Sequence, residues 1–193
     1  MDDHEAVDAE EVSERVLESI RGGMRDDEGT GEWVGVLGFS QGAKIAGSLL
    51  WTQETLKRGG EKPLLMDGGR GVNFRFAVLM AGSAPTVMLD PVGRLEVPRF
   101  VETADKTSLS FADWPPGNEG EHVIGLPTLH VHGLKDPGIE RHRKLLELYC
   151  KRGTTRLVEW EGDHRLPIKS VDVDLVVAKV MEMAWETGVV DHF

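Results

Sequence analysis

Residues 36–43 read "VLGFSQGA", and Ser40 stands between Gly38 and Gly42 at Gly-x-Ser-x-Gly spacing. A serine hydroxyl is a weak nucleophile. It attacks an acyl carbonyl only with a base beside it, a group that orients the base, and donors for the oxyanion that forms. The spacing fits a nucleophile elbow, a sharp strand-to-helix turn whose neighbours two positions away, Gly38 and Gly42, must be small. The backbone N–H of Gln41 is the expected first oxyanion donor. A helix starting at this point aims its free amides and the positive end of its dipole at the serine.

Seven histidines compete for the role of base. His4 and His192 lie near the termini, His122 in a long stretch without period, and His142 on a polar helix face. His130 and His132 alternate on one strand, point to the same side, and read as buried, hydrogen-bonded sheet residues. His164, in "EGDHRLP", follows the last strand pattern and precedes the last helix, so it is the expected base. For a serine on such an elbow the chain order is Ser, acid, His. Asp136 in "HGLKDP" follows a strand and fits as the acid; its other use is as a turn residue before Pro137. Asp163 adjoins His164 and reads as a loop or capping residue. Asp90, Asp105 and Asp113 fall in the stretch without period. Ser40 would then attack, His164 would take its proton, and Asp136 would fix the imidazole tautomer. No His-Glu-x-x-His and no paired cysteines occur, so neither a catalytic metal nor a cofactor is expected. "GGRG" and "GGE" lack the Gly-Lys-Ser/Thr ending of a phosphate loop.

The elements that must position these residues follow from periodicity. Val12, Val16, Ile20 and Met24 recur at i+4 spacing and predict an amphipathic helix over 9–25. "WVGVLG" (33–38) predicts a buried strand, and 41–58 a helix with Ile45, Leu49, Leu50 and Leu56 on one face. Residues 74–82 and 126–133 predict two more buried strands, and 155–162 a fourth. Helices are predicted over 139–153, stopping at Gly153, and over 171–188. Strands alternating with helices imply an α/β fold with a mostly parallel sheet covered on both faces. In such sheets reactive groups gather at the carboxyl ends of the strands, where Ser40, Asp136 and His164 all fall. The stretch 83–125 exceeds ordinary loop lengths and is a candidate lid or insertion. Its Val87, Leu89, Leu95, Phe100, Phe111 and Trp114 suit either a lipophilic acyl chain or a core of the segment's own.

The bulk numbers bound the setting. A chain of 193 residues, 40% hydrophobic and 28% charged, fits one soluble domain. The net charge of -11 is uneven, because residues 1–32 carry 12 acids against 3 bases. That acidic head, expected to be mobile over 1–8, argues against nucleic acid as a partner. The single Cys150 forms no internal disulfide. No run approaches the roughly 20 apolar residues of a membrane span, and no secretory signal core is present. A cytoplasmic location is the expectation.

Together "WVGVLGFSQGA", "LPTLHVHGLKDP", the "R…LLELYC" helix and "EGDHRLP" resemble the fungal serine hydrolase (FSH) family. The resemblance spans roughly 10–187, with the four motifs in order. It implies the α/β-hydrolase fold, N-terminally shortened here, with Ser40 as nucleophile, Asp136 as acid and His164 as base. It further implies an esterase or a thioesterase of fungal secondary, polyketide-type metabolism. The substrate would be an acyl group on a small molecule or on an acyl carrier domain of a polyketide synthase. Members of this family begin with further strands and a His-Gly type loop that supplies the second oxyanion donor. This chain enters at the helix before the nucleophile strand, which leaves a sheet edge and apolar surface for a homodimer to cover. A second reading stays open on sequence alone: a catalytically impaired, hydrolase-derived binding or scaffold module.

Overall fold

The computed structural model describes residues 8–106 and 111–190. The acidic start at residues 1–7, with His4, lies outside the described residues, as does His192. Helix α1 (Ala9–Asp26) opens on Asp8, whose side chain accepts from the Glu10 N–H. Its Leu17 is buried, and Val16, Ile20 and Met24 pack against the core. Strand β1 (Gly35–Phe39) leads through Ser40 into helix α2 (Gln41–Arg58). A small hairpin, β2 (Met66–Asp67) and β3 (Arg70–Gly71), precedes strand β4 (Phe76–Met80). Two short parallel strands, β5 (Val87–Met88) and β6 (Glu102–Thr103), lie in the stretch without period. Strand β7 (Thr128–Gly133), helix α3 (Ile139–Tyr149), strand β8 (Thr155–Trp160) and helix α4 (Ser170–Glu186) complete the order.

The central sheet is parallel with order β1-β4-β7-β8. Alternation along its inner strands buries both faces. Ala77 and Leu79 of β4 join the cluster that holds Leu50, Trp51 and Leu145, under α2 and α3. Phe76, Val78 and Met80 face the other way, into the cluster of Leu129, Val131, Val158, Val176 and Met183 under α4. This is why the inner strands read as continuous apolar runs in the sequence. Among the described residues β1 is a terminal strand of the sheet, and its Leu37 is 61% exposed.

One feature differs from the sequence expectation. Helix α3 ends at Tyr149, with Cys150 extended, and does not run to Gly153. Cys150 pairs instead with Ile124: Ile124 N–H donates to Tyr149 O at 2.8 Å and Lys151 N–H to Ile124 O at 2.9 Å. The stretch 83–125 is tied into the body by its own backbone and side chains. Val87 N–H donates to Ser48 Oγ, Trp51 Nε1 donates to Glu121 O, and Lys44 forms a buried ion pair with Glu102 at 3.3 Å. Val87 and Leu89 are core residues, Leu95, Phe100 and Trp114 pack against that core, and Phe111 meets Trp114 edge to face. Apart from Phe111, these residues therefore belong to the main core shared with α2 and α3.

Candidate active site

Each site residue follows the carboxyl end of a strand. In the sheet register Phe39 pairs with Met80, Met80 with Val131, and Gly133 with Trp160, so the strand ends form one rim. Ser40 is the N-cap of α2, with φ 55° and ψ -118°. A positive φ on a residue with a Cβ is strained and persists only where the surroundings enforce it. Here Ser40 N–H donates to Met80 O at 2.8 Å, and the Ala43 and Lys44 amides return to Ser40 O. The turn leaves no room behind it. A Cβ built on Gly38 would lie 2.1 Å from Gly42 O. At Gly42 the same test meets no atom within 4 Å, because that position faces outward on the first turn of α2. The steric demand expected of both glycines falls on Gly38 alone. The Gln41 amide is among the first N–H groups of α2, which have no acceptor within the helix, and it lies next to Ser40.

Asp136 and His164 are brought together by the loops after β7 and β8. Lys135 N–H donates to Gly162 O at 2.8 Å and Leu134 N–H to Trp160 O at 2.9 Å. The loops touch over Gly133, where a Cβ would lie 2.5 Å from Asp163 O. The outcome is a chain of hydrogen bonds. His164 Nδ1 lies 2.7 Å from Asp136 Oδ2, and His164 Nε2 lies 2.8 Å from Ser40 Oγ. An ionised carboxylate only accepts, so Nδ1 carries the hydrogen and Nε2 is left to accept from the serine. Asp136 is buried, and its Oδ1 accepts from the Gly138 N–H at 2.7 Å. The His164 ring packs beside Phe39, with centroids 5.1 Å apart, while its side chain remains 43% exposed. Asp163 turns away and pairs with Arg165. Asp90 accepts from the Val92 and Leu95 amides, and Asp113 pairs with Arg99.

The other histidines form a buried row behind the site. His130, His132, His142 and His164 follow one another at centroid distances of 5.9, 5.6 and 6.3 Å. His130 Nε2 reaches Thr128 Oγ1 and Cys150 Sγ, but its Nδ1 and both nitrogens of His132 have no hydrogen-bond partner among the described residues. The expectation of hydrogen-bonded sheet residues thus fails for His132 and half fails for His130. Burial, with the neighbouring histidines adding to it, pushes His130 down to about 3 and His132 down to about 4. Burial likewise raises the Cys150 thiol to about 12, which makes it inert. His142 is not on a polar face. It is buried on α3 with Leu145 and Tyr149, at a spacing of three and then four residues that marks a helix's inner side. His122 is buried in the long stretch and bonds Gly117 O and Leu148 O.

Residues 3–176 match the family described as "Serine hydrolase (FSH1)". The chain belongs to this serine hydrolase family. Among FSH1 relatives, the esterase pigG of Monascus ruber is 46% identical over 98% of this chain and 70% of its own length. The esterase dbaE of Emericella nidulans is 45% identical over 96% of this chain and 68% of its own. Acyl-protein thioesterase 2 of Zea mays superposes with a TM-score of 0.50 at 15% identity, over 95% of this chain and 69% of that one. The fold of this chain is that of the α/β-hydrolases, and it is a serine hydrolase. No helix among the described residues is long and apolar enough to cross a membrane.

Proposed function

We propose that this chain hydrolyses an acyl ester or thioester through an acyl-enzyme on Ser40. The hydrogen-bonded run Ser40–His164–Asp136 on a strained elbow carries this reading. Ser40 Oγ attacks the acyl carbonyl carbon while His164 Nε2 takes its proton. The oxyanion forms against the Gln41 amide at the start of α2. The imidazolium, stabilised by Asp136, then protonates the departing alcohol or thiol. Water, activated by the same His164, releases the acid and restores Ser40. The favoured substrate is an acyl thioester or ester of fungal secondary metabolism, a polyketide-type acyl group on a carrier or as a free ester. Its support is the motif resemblance and the kinship with fungal proteins called esterases.

A fluorophosphonate probe and a pair of matched acyl substrates, one p-nitrophenyl ester and one N-acetylcysteamine thioester, test the proposal. Labelling is expected on Ser40, and Ser40→Ala is expected to abolish it with a loss of about 10⁴ to 10⁶ in kcat. A higher kcat/KM on the thioester supports the thioesterase reading, and a preference for the ester assigns the protein to esterases. An unlabelled wild-type protein that turns over neither substrate would leave the non-catalytic binding module as the correct reading.

A further inference from the structure

We propose that Asp136, His142 and His164 form a binding site for a divalent transition-metal ion, with zinc as the type, and that the bound ion holds the catalytic serine inactive. The inhibitory part rests on the triad reading above; the binding part does not.

Two observations carry the site. First, each of the three side chains offers one ligand atom, and these atoms all lie within 4.8 Å of one another. Two imidazoles and a carboxylate, with a fourth position open to water, are a donor set that zinc accepts. Second, His142 Nδ1 has no hydrogen-bond partner among the described residues, although the side chain is only 1% exposed. It lies 3.9 Å from Asp136 Oδ2, beyond hydrogen-bond reach. Either it carries a hydrogen that falls short of the carboxylate, or it turns a lone pair toward an anion. A cation between the two atoms resolves both, because it binds the lone pair and neutralises the carboxylate.

The adjustment needed is local. Asp136 and His142 are buried, while His164 belongs to a loop and its side chain is 43% exposed. Its Nδ1 lies 2.7 Å from Asp136 Oδ2 in the hydrogen-bonded state. Around a tetrahedral zinc any two ligand atoms stand about 3.3 Å apart, so the Asp136–His164 pair must open and the Asp136–His142 pair, at 3.9 Å, must close, each by a fraction of an ångström. The chemical consequence is strict. An ion on Nδ1 displaces the hydrogen from that nitrogen, and the neutral ring then carries its hydrogen on Nε2. Nε2 now donates toward Ser40 Oγ and no longer accepts its proton, so the nucleophile is not activated.

Isothermal titration with zinc and absorption titration with cobalt, both on the full chain carrying Ser40→Ala, test the site without using turnover. One ion per chain and a four-coordinate cobalt spectrum are expected. In the same background His142→Gln is expected to weaken zinc binding about tenfold or more. Asp136→Asn is a second ligand deletion with the same expected loss, and it decides the matter if the His142 variant does not fold. In the protein with Ser40 intact, zinc is expected to block probe labelling reversibly, with EDTA restoring it. The midpoint for this block shifts in His142→Gln by the factor seen in binding. Absence of stoichiometric binding overturns the proposal, and so does zinc binding unchanged by both ligand deletions. A wild-type protein that is never labelled would refute the triad reading and leave the binding titrations to decide the metal site alone.

Discussion

Both oxygens of the Asp136 carboxylate are engaged at 2.7 Å, Oδ1 by the Gly138 N–H and Oδ2 by His164 Nδ1. The residue therefore braces the start of α3 and, in the proposed mechanism, sets the tautomer of His164 with one side chain. Asp136→Asn separates these two roles. The amide oxygen can keep the Gly138 bond, but the amide nitrogen donates to Nδ1 and turns Nε2 into a donor toward Ser40. The expected result is a fall of about 10⁴ in kcat with little change in KM or in thermal midpoint. Steady-state kinetics on the p-nitrophenyl ester checks this, and a loss below tenfold would remove Asp136 from the triad. Ser40, Asp136 and His164 are legible in the sequence for a physical reason. Each must follow the end of a strand, and glycines mark where the backbones must crowd. Only Gly38 of the elbow pair meets that crowding, which spacing by itself does not distinguish.

At the scale of elements, α2 is legible to the residue because local signals bracket it: the elbow at Ser40 and Gly59 at its end. Helix α3 is not, because what stops it is the pairing of Cys150 with Ile124, a contact across the fold that local periodicity does not carry. The burial of His142 is legible in principle, since it continues the Leu145–Tyr149 side of the helix, but a charged neighbourhood disguises it. β5 and β6, two residues each, are too short to leave a period. Strand β1 presents a different problem. It has a neighbour on one side only among the described residues, and its apolar Leu37 is exposed. Open strand edges flanked by apolar surface pair with further strands. The chain is expected to associate into a dimer as concentration rises, and Leu37→Lys is expected to shift it to monomer without loss of esterase rate. Size exclusion with light scattering decides this; a monomer at every concentration would set the idea aside.

At the scale of the whole molecule, the row of buried histidines couples the fold to pH. His130 and His132 titrate near 3 and 4 in the folded protein, against an ordinary value of 6.5, and His142 is lowered as well. Burial is the first cause for all three. An unfolded chain takes up these protons as pH falls below 6.5, while the folded chain does not. Stability is therefore full above about pH 6.5 and is lost as pH falls toward 4, with a slope of up to about 1.4 kcal/mol per pH unit for each histidine. Glu54, raised by its own burial, opposes this trend as one group against three. Urea unfolding at pH 7.5, 6 and 5 is expected to show a steady drop in midpoint below pH 6.5 at nearly constant m-value. His132→Leu removes one of the unfolded chain's protons and is expected to flatten the slope by one histidine's share, even if it changes the stability at pH 7.5. Midpoints that do not move between pH 6.5 and 5 would mean that these rings take up protons inside the fold, and the orphaned nitrogens of His132 would then need another partner.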